Sequence, residues 1–367
     1  MVPFREMEDH GCEQLVFCHD PATQLRAIIA IHDTTLGPAL GGLRMLPYAT
    51  SAEAVRDVVR LAQGMTYKSA LAGLPLGGGK AVIIGDSMTD KTPTLIRSFA
   101  RAVQQLHGVY ITAEDMGTTE QDMQEIRDVT PYVTGFRKEA GGSGDPSSLT
   151  AYGVFRGIQA ALGHKEGSDS LRGKHVALQG AGATSTHLCR YLAKAGAVLT
   201  VADYIPERAA YVARNYGATV VDPGILHKTA CDVFAPCARG GILNDQTIPQ
   251  LRCRVIAGSA NNQLEDPPRH AAALATRNIL YVPDYGINAG GLICVADTML
   301  HGYDEAMIRE RVHTIYDTIQ VLLDTAQRKF VTPLEVADCM VEDRLRGARE
   351  QRKDCPSGFY GPARVRK

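Results

Sequence analysis

Between Lys174 and Ala195 the chain passes from a strand-like segment, Lys174-His175-Val176-Ala177-Leu178-Gln179, through Gly180-Ala181-Gly182-Ala183-Thr184-Ser185 into a helical segment carrying Leu188, Leu192 and Ala195. A strand fed through two glycines straight into a helix starts a parallel βαβ unit, since the helix must carry the chain back over the sheet before the next parallel strand. Short apolar segments follow at Val198 to Ala202, Cys231 to Ala235, Val255 to Ala257 and Ile279 to Val282, alternating with helical stretches. That alternation predicts an α/β architecture with a doubly wound parallel sheet in the second half of the chain.

The same turn has a chemical reading. Gly180 permits the tight turn, Gly182 lets backbone approach a pyrophosphate, and the amides of Ala181, Ala183, Thr184 and Ser185 open a helix whose positive end suits an anion. Asp203 ends the next strand, eighteen residues past Ser185. A carboxylate there accepts the hydroxyls of an adenine ribose and repels a 2′-phosphate, so the expected cofactor is NAD rather than NADP. Ser185 stands where a third glycine is usual, a small enough replacement to keep helix and strand close.

With 367 residues the chain exceeds one ordinary core, and two domains with a cleft between them are expected. The turn-rich run Gly141 to Ser148 marks the boundary, giving a domain over residues 1–146 and a Rossmann-type domain over 147–329. A long amphipathic helix is expected over Ala306 to Ala326, and the charged tail, about 330–367, is expected to pack back onto the first domain. In the first half, Leu25 to His32 reads as a strand, and Thr50 and Glu53 form a capping box before a helix of about four turns. Gly77-Gly78-Gly79 breaks the pattern before Lys80 to Ile84 resumes as a buried strand. A helix over Thr94 to Leu106 and a strand over Val109 to Thr112 follow.

The bulk numbers exclude several function classes. Lysine plus arginine number 39 against 40 acidic residues, so no global field draws the chain to nucleic acid or anionic lipid. The nine cysteines include no Cys-x-x-Cys pair, the eleven histidines show no ligand spacing, and neither disulfides nor a metal is expected. The start lacks a signal-peptide pattern and no apolar run reaches the ~18 residues of a membrane span, so a cytoplasmic setting is expected.

Two lysines mark the first half. Lys80 is bracketed by apolar or side-chain-free residues, with Lys68 twelve residues before it near the end of the capped helix. Burial and a neighbouring cation both favour the neutral amine a general base needs, with the ammonium placed at a strand end. A phosphate-loop reading of Gly-Gly-Gly-Lys fails, because Leu74 stands at the expected first glycine, Ala81 replaces the hydroxyl residue, and this lysine precedes a strand. Asp115, just after the strand through Thr112, is the carboxylate best placed to relay a proton with Lys80.

Long segments, HDTTLGPALGG (32–42), GMTYKSALAGLPLGGGKAVIIGD (64–86), YITAEDMGTT (110–119), IAGSANNQL (256–264) and DYGINAGG (284–291), resemble the leucine dehydrogenases within the glutamate, leucine, phenylalanine and valine dehydrogenase family. The likeness runs from Glu13 to the helix near Tyr316. It implies NAD-dependent oxidative deamination of L-leucine or another branched-chain L-amino acid, a substrate domain followed by an NAD domain, and a homo-oligomer, an octamer among the possibilities. Position by position, Lys80 would be the catalytic base assisted by Asp115. Lys68, with backbone near Gly41 and Gly42 and with Asn262, would bind the substrate carboxylate. Thr150, Ala238 and Asn261 would lie near the nicotinamide. Leu40, Ala113, Leu292 and Val295 would line a wholly apolar side-chain pocket that rejects glutamate. Ala183, Thr184 and Ser185 depart from the family's turn, and Arg239 stands where a leucine is usual. Phenylalanine, valine or tryptophan dehydrogenases are same-chemistry alternatives, and a non-catalytic nucleotide-binding homologue is the alternative of another class.

Overall fold

The computed structural model describes residues 2–353. Contacts gather the described residues into two units, one built from 2–145, 295–304 and 341–353, the other from Pro146–Cys294 and Glu305–Met340; the end of the charged tail, 354–367, lies outside the described residues. Each unit is discontinuous in sequence. Residues 330–340 group with the second unit, and the return to the first begins at Val341.

The first unit runs α1 (Val2–His10), β1 (Gln14–Asp20), β2 (Leu25–Asp33), β3 (Ala39–Leu46), α2 (Ser51–Leu71), β4 (Gly77–Ile84), α3 (Pro93–Gln105), β5 (Tyr110–Glu114) and α4 (Glu120–Arg127). Its five strands lie in the order β1-β2-β4-β3-β5. β1 and β4 flank β2 antiparallel, while β3 pairs parallel with β4 and β5. Side chains alternate faces along each strand, and the cores follow that parity. Ile29 and Ile31, Leu43 and Met45, Ala81 and Ile83, and Tyr110 pack with Phe99 and Val103 of α3. Ile28, Ala30 and Val82 pack with Val55, Val58, Val59 and Ala62 of α2. The even positions of β3 and β4 and the odd positions of β5 therefore face α2.

Three local expectations are revised. Helix α2 spans 21 residues rather than four turns. Thr50 caps it as expected, its Oγ1 accepting the Glu53 amide at 3.1 Å, but the capping box does not close, because the Glu53 carboxylate accepts from the amide of Ala49 rather than of Thr50. The triple glycine does not interrupt a strand but opens β4, because three neighbours come too close for any side chain. A Cβ at Gly77 would lie 2.1 Å from the Asp33 carbonyl oxygen, and one at Gly78 2.1 Å from the Thr66 amide nitrogen of α2. One at Gly79 would lie 2.8 Å from the Tyr110 ring. Lys80 is thus a mid-strand residue, paired with Ala30 on β2. The β3 strand was not foreseen, since Gly41-Gly42 and Arg44 disguise its apolar run.

The second unit comprises α5 (Ser147–Glu166), β6 (His175–Gln179), α6 (Ala183–Lys194), β7 (Val198–Ala202), α7 (Pro206–Tyr216), β8 (Thr219–Val220), β9 (Val233–Pro236), β10 (Val255–Ile256), α8 (Pro267–Thr276), β11 (Leu280–Tyr281) and α9 (Asp284–Ile287), with α10 (Gly290–His301) beginning in it. Helices α11 (Glu305–His313), α12 (Ile315–Lys329) and α13 (Pro333–Lys353) complete the described residues. The sheet order is β11-β10-β9-β6-β7-β8, all parallel. Read from β8, this is the dinucleotide-fold order in which winding reverses between β6 and β9, the crevice where such sheets bind ligands. The single helix expected over 306–326 is two helices. The Thr314 hydroxyl donates to the Arg311 carbonyl at 2.7 Å, a local bond that competes with continued helix, and α12 starts afresh at Ile315. The C-terminal helix does tie into the first unit: Arg344 donates to the carbonyls of Ala70 (2.9 Å) and Leu74 (3.2 Å), and Arg349 pairs with buried Asp33 at 2.5 Å. No described helix is long and apolar enough to cross a membrane.

Candidate active site

Strand parity places Leu40, Gly42 and Arg44 of β3, Lys80 of β4, and Ala113 with the following Asp115 from β5 on the face turned to α2. Lys80 is 7% exposed, and its Nζ lies 2.5 Å from Asp115 Oδ2. The room for that contact is made by Gly42, where a Cβ would sit 3.2 Å from Lys80 Nζ and 2.8 Å from Asp115 Cβ. Gly41 has a different role: a Cβ there would collide with the Gly79 carbonyl oxygen, and its own carbonyl accepts from Tyr110 Oη at 2.7 Å. Both glycines keep β3 tight against β4 and β5.

The segment after β5 holds Asp115 in place. Its amide donates to Thr118 Oγ1 at 3.1 Å, and that hydroxyl donates to the Leu43 carbonyl at 2.9 Å. Gly117, at φ +83°, turns the chain where a side chain would strike the Met45 carbonyl. Burial by itself raises the Asp115 carboxyl, but the Lys80 ammonium and the Arg44 guanidinium overcome it and hold the group well below the usual carboxylate range.

Reading the sequence missed the partners of this pair. Arg44 Nε donates to Asp115 Oδ2 at 3.3 Å, Arg44 Nη1 pairs with Asp57 of α2 at 3.0 Å, and Tyr48 Oη donates to the same Asp57 oxygen at 2.6 Å. Lys80 is buried and meets the Asp115 carboxylate, as expected, but that carboxylate is shared with a second cation, Arg44. The available signal was an arginine inside the apolar run Ala-Leu-Gly-Gly-Leu-Arg-Met-Leu, which only becomes informative once that run is recognised as a strand.

Lys68 occupies the last turn of α2, half-buried. The Thr66 amide two residues before it lies against Gly78, so the absent side chain lets this end of α2 settle on the strand that carries Lys80. Leu40 is fully buried and Ala113 half-buried. Leu292 and Val295 sit three residues apart on one face of α10, both buried.

In the second unit the glycine turn takes the form read from the sequence. Gly180 adopts φ +98°, and Gly182 caps α6 without any side-chain acceptor, leaving the first-turn amides of Ala183, Thr184 and Ser185 without intrahelical partners. Nothing lies within 4 Å of a Cβ built at Gly182. A cavity of about 440 Å³ opens there, lined by Ala181, Gly182, Ala183 and Thr186 and by Glu207 and Arg208 of α7. Asp203 is bound into the turn: Oδ2 accepts from the Ala181 amide at 2.7 Å and Oδ1 from the Ile205 amide at 2.8 Å. Open backbone, free helix amides and a carboxylate at the adjacent strand end fit a dinucleotide. Ser185, 1% exposed, fills the place of the third glycine without opening the helix from the strand.

Just past β9 lies Ala238, whose Cβ approaches within 2.9 Å of one built on Gly180, and Arg239 lies 5.9 Å from the Tyr204 ring beside Asp203. Thr150 packs against Gly291. Asn261 Oδ1 accepts from Asn288 Nδ2 at 2.9 Å, and Asn262 follows at φ +52°. Asn288, which also donates to the Ser259 carbonyl at 3.1 Å, is a further residue to which reading the sequence gave no role.

The sequence is 52% identical over 352 residues to leucine dehydrogenase of Geobacillus stearothermophilus, covering 96% of this chain and 95% of that protein. It is 49% identical to leucine dehydrogenase of Bacillus subtilis, covering 96% of each. The crystal structure of L-tryptophan dehydrogenase from Nostoc punctiforme superposes with a TM-score of 0.80 at 44% identity, covering 94% of this chain and 99% of that one. Residues 13–132 match the family described as Glu/Leu/Phe/Val dehydrogenase, dimerisation domain, and residues 205–342 match Glutamate/Leucine/Phenylalanine/Valine dehydrogenase. The chain belongs to the glutamate, leucine, phenylalanine and valine dehydrogenase family.

Proposed function

We infer that this protein is an amino-acid dehydrogenase that oxidatively deaminates L-leucine and related branched-chain L-amino acids, with NAD as cofactor. The observation that carries the reading is the buried Lys80–Asp115 pair on a glycine-lined sheet face. The resemblance to leucine dehydrogenases over nearly the whole chain supports the substrate. The turn from Gly180 to Ser185 with Asp203 would hold NAD, which would supply the hydride acceptor for the substrate α-hydrogen.

The remaining chemistry falls to the chain's own groups. Lys68, the backbone near Gly41 and Gly42, and Asn262 hold the substrate carboxylate. The Lys80 amine takes a proton from the α-amino group as the C–H bond breaks. That proton passes by way of Asp115 to solvent, and the amine, neutral again, takes a proton from the water that adds to the iminium carbon and gives it to the carbinolamine nitrogen; ammonia then leaves as the hydroxyl proton goes to Lys80 and the C=O of the 2-oxo acid forms. Asp115 keeps the amine oriented and shares its proton. Asp203 binds the adenine ribose, and Thr150, Ala238 and Asn261 border the nicotinamide, with residues 1–146 serving the substrate and 147–329 the cofactor. Leu40, Ala113, Leu292 and Val295 form the side-chain pocket. An unpaired glutamate carboxylate buried among them would cost several kcal/mol. A cytoplasmic homo-oligomer, an octamer being one form, is the assembly proposed.

Initial rates of NADH formation at alkaline pH with leucine, valine, isoleucine, phenylalanine, tryptophan and glutamate test this. Leucine or another branched-chain substrate should give the highest kcat/KM and glutamate none. Preference for an aromatic substrate would assign the pocket to the aromatic members, and no turnover with any of them would remove the enzyme reading.

A further inference from the structure

Nothing in the reaction as described uses the buried charges behind Asp115. Arg44 projects from the middle of β3 with its side chain 14% exposed, and it holds two carboxylates at once, Asp115 through Nε at 3.3 Å and Asp57 through Nη1 at 3.0 Å. Asp57, 31% exposed, is fixed in turn by the Tyr48 hydroxyl, a phenol that burial and the adjacent Asp57 carboxylate keep neutral. Arg44 and Lys80 meet on the same atom, Asp115 Oδ2. A guanidinium is planar and fixed in geometry, so a carboxylate docked on it cannot swing freely.

We propose that Arg44, braced by Asp57 and Tyr48, is a positioning residue for the deamination, holding the Asp115 carboxylate against the Lys80 amine and drawing part of that carboxylate's charge away from it. The inference rests on the reading of Lys80 as the base. Its physical content is a competition. With Arg44 present, the charge of Asp115 is divided between two cations, and the amine gives up its proton more readily. With Arg44 removed, the whole charge falls on Lys80, the amine holds its proton harder, and the carboxylate loses one of its two side-chain anchors.

The other charged or titratable groups around the pair are Tyr110 and Glu114 on β5, Asp57 on α2, and Tyr48 before α2. Glu120 and Asp122 on α4 act through Glu114, as does Asp145. None of these replaces the positive charge of Arg44 on Asp115 Oδ2.

The test compares wild type with Arg44→Gln, Arg44→Lys, Asp57→Asn and Lys80→Ala. It reads kcat and KM for leucine and NAD, kcat/KM from pH 6 to 11, and thermal unfolding. Arg44→Gln should lower kcat at neutral pH about 10- to 100-fold with KM for NAD unchanged. Its alkaline rise in kcat/KM should move upward by about one pH unit, so that activity returns at high pH. Arg44→Lys should recover part of both effects, and Asp57→Asn should move the profile the same way by less. An Arg44→Gln enzyme that folds and keeps the wild-type profile overturns the proposal. If that variant does not fold, an unmoved profile in Asp57→Asn overturns it instead. Retained turnover in Lys80→Ala would remove the base assignment itself, whereas a dead Lys80→Ala beside an unaltered Arg44→Gln removes only the role of Arg44.

Discussion

Replacing Gly42 by alanine adds one methyl group at the point where the two reacting side chains meet. The new Cβ would stand 2.7 Å from the Glu114 carbonyl oxygen, 2.8 Å from Asp115 Cβ and 3.2 Å from Lys80 Nζ. Ordinary carbon contacts begin near ~3.5 Å, so the Asp115 side must retreat by about 0.7 Å. Two of the three obstructing atoms belong to backbone or to a Cβ, which cannot rotate away. The strain falls on the contact between Lys80 and Asp115, now 2.5 Å. Overpacking of this kind costs about 1–3 kcal/mol of stability, and a misplacement approaching 1 Å costs on the order of 10²-fold in rate. Gly42→Ala should therefore fold with a lowered melting temperature, bind NAD as before, and lose roughly 10- to 100-fold in kcat. Chemical denaturation, fluorescence titration with NAD and steady-state kinetics read the three quantities. Two companions bound the argument. Gly41→Ala meets the Gly79 carbonyl oxygen at 1.6 Å and should not yield folded protein, whereas Gly64→Ala, with nothing within 4 Å, should gain up to about 1 kcal/mol from helix propensity. Wild-type turnover in Gly42→Ala would refute the claim that this glycine makes room for the catalytic pair.

Two further outcomes follow from the same geometry. Asp203→Ala removes the acceptor that ties the Ala181 and Ile205 amides together as well as the proposed ribose contact. Hydrogen bonds to a charged group contribute about 1.5–3 kcal/mol, so the preference for NAD over NADP in kcat/KM should shrink by roughly 10- to 100-fold, and an unaltered ratio would count against the role. Asp115, held below the usual carboxylate range in the fold, contributes stability that is fully present above the ordinary value near ~4 and is lost as pH falls through its native value. The difference in unfolding free energy between wild type and Asp115→Asn should accordingly be constant above about pH 5 and narrow in more acid solution. A gap that widens on acidification would contradict the ion-pair account.

What could be read from the chain alone is local in sequence. The turn at Gly180 and Gly182, the helix behind it and Asp203 occupy one contiguous βαβ unit, so their spacing already states their geometry. The strands β6 and β7 were legible for the same reason, as short apolar runs bounded by turn residues. The lysine and the aspartate could be named as a pair, but not what surrounds them. That depended on β3, hidden by two glycines and an arginine, finding its place between β4 and β5. Only this non-local pairing fixes the parity that turns Leu40, Gly42, Arg44, Lys80, Ala113 and Asp115 to one face. The triple glycine shows the same limit. Its residues read as a breaker in isolation and form a strand in place, because the neighbours that exclude a side chain there, Asp33, Thr66 and Tyr110, lie 44, 12 and 31 positions away and are unseen by any local rule. Sequence order dictates bonding along the chain, and the sheet decides which distant groups share a charge.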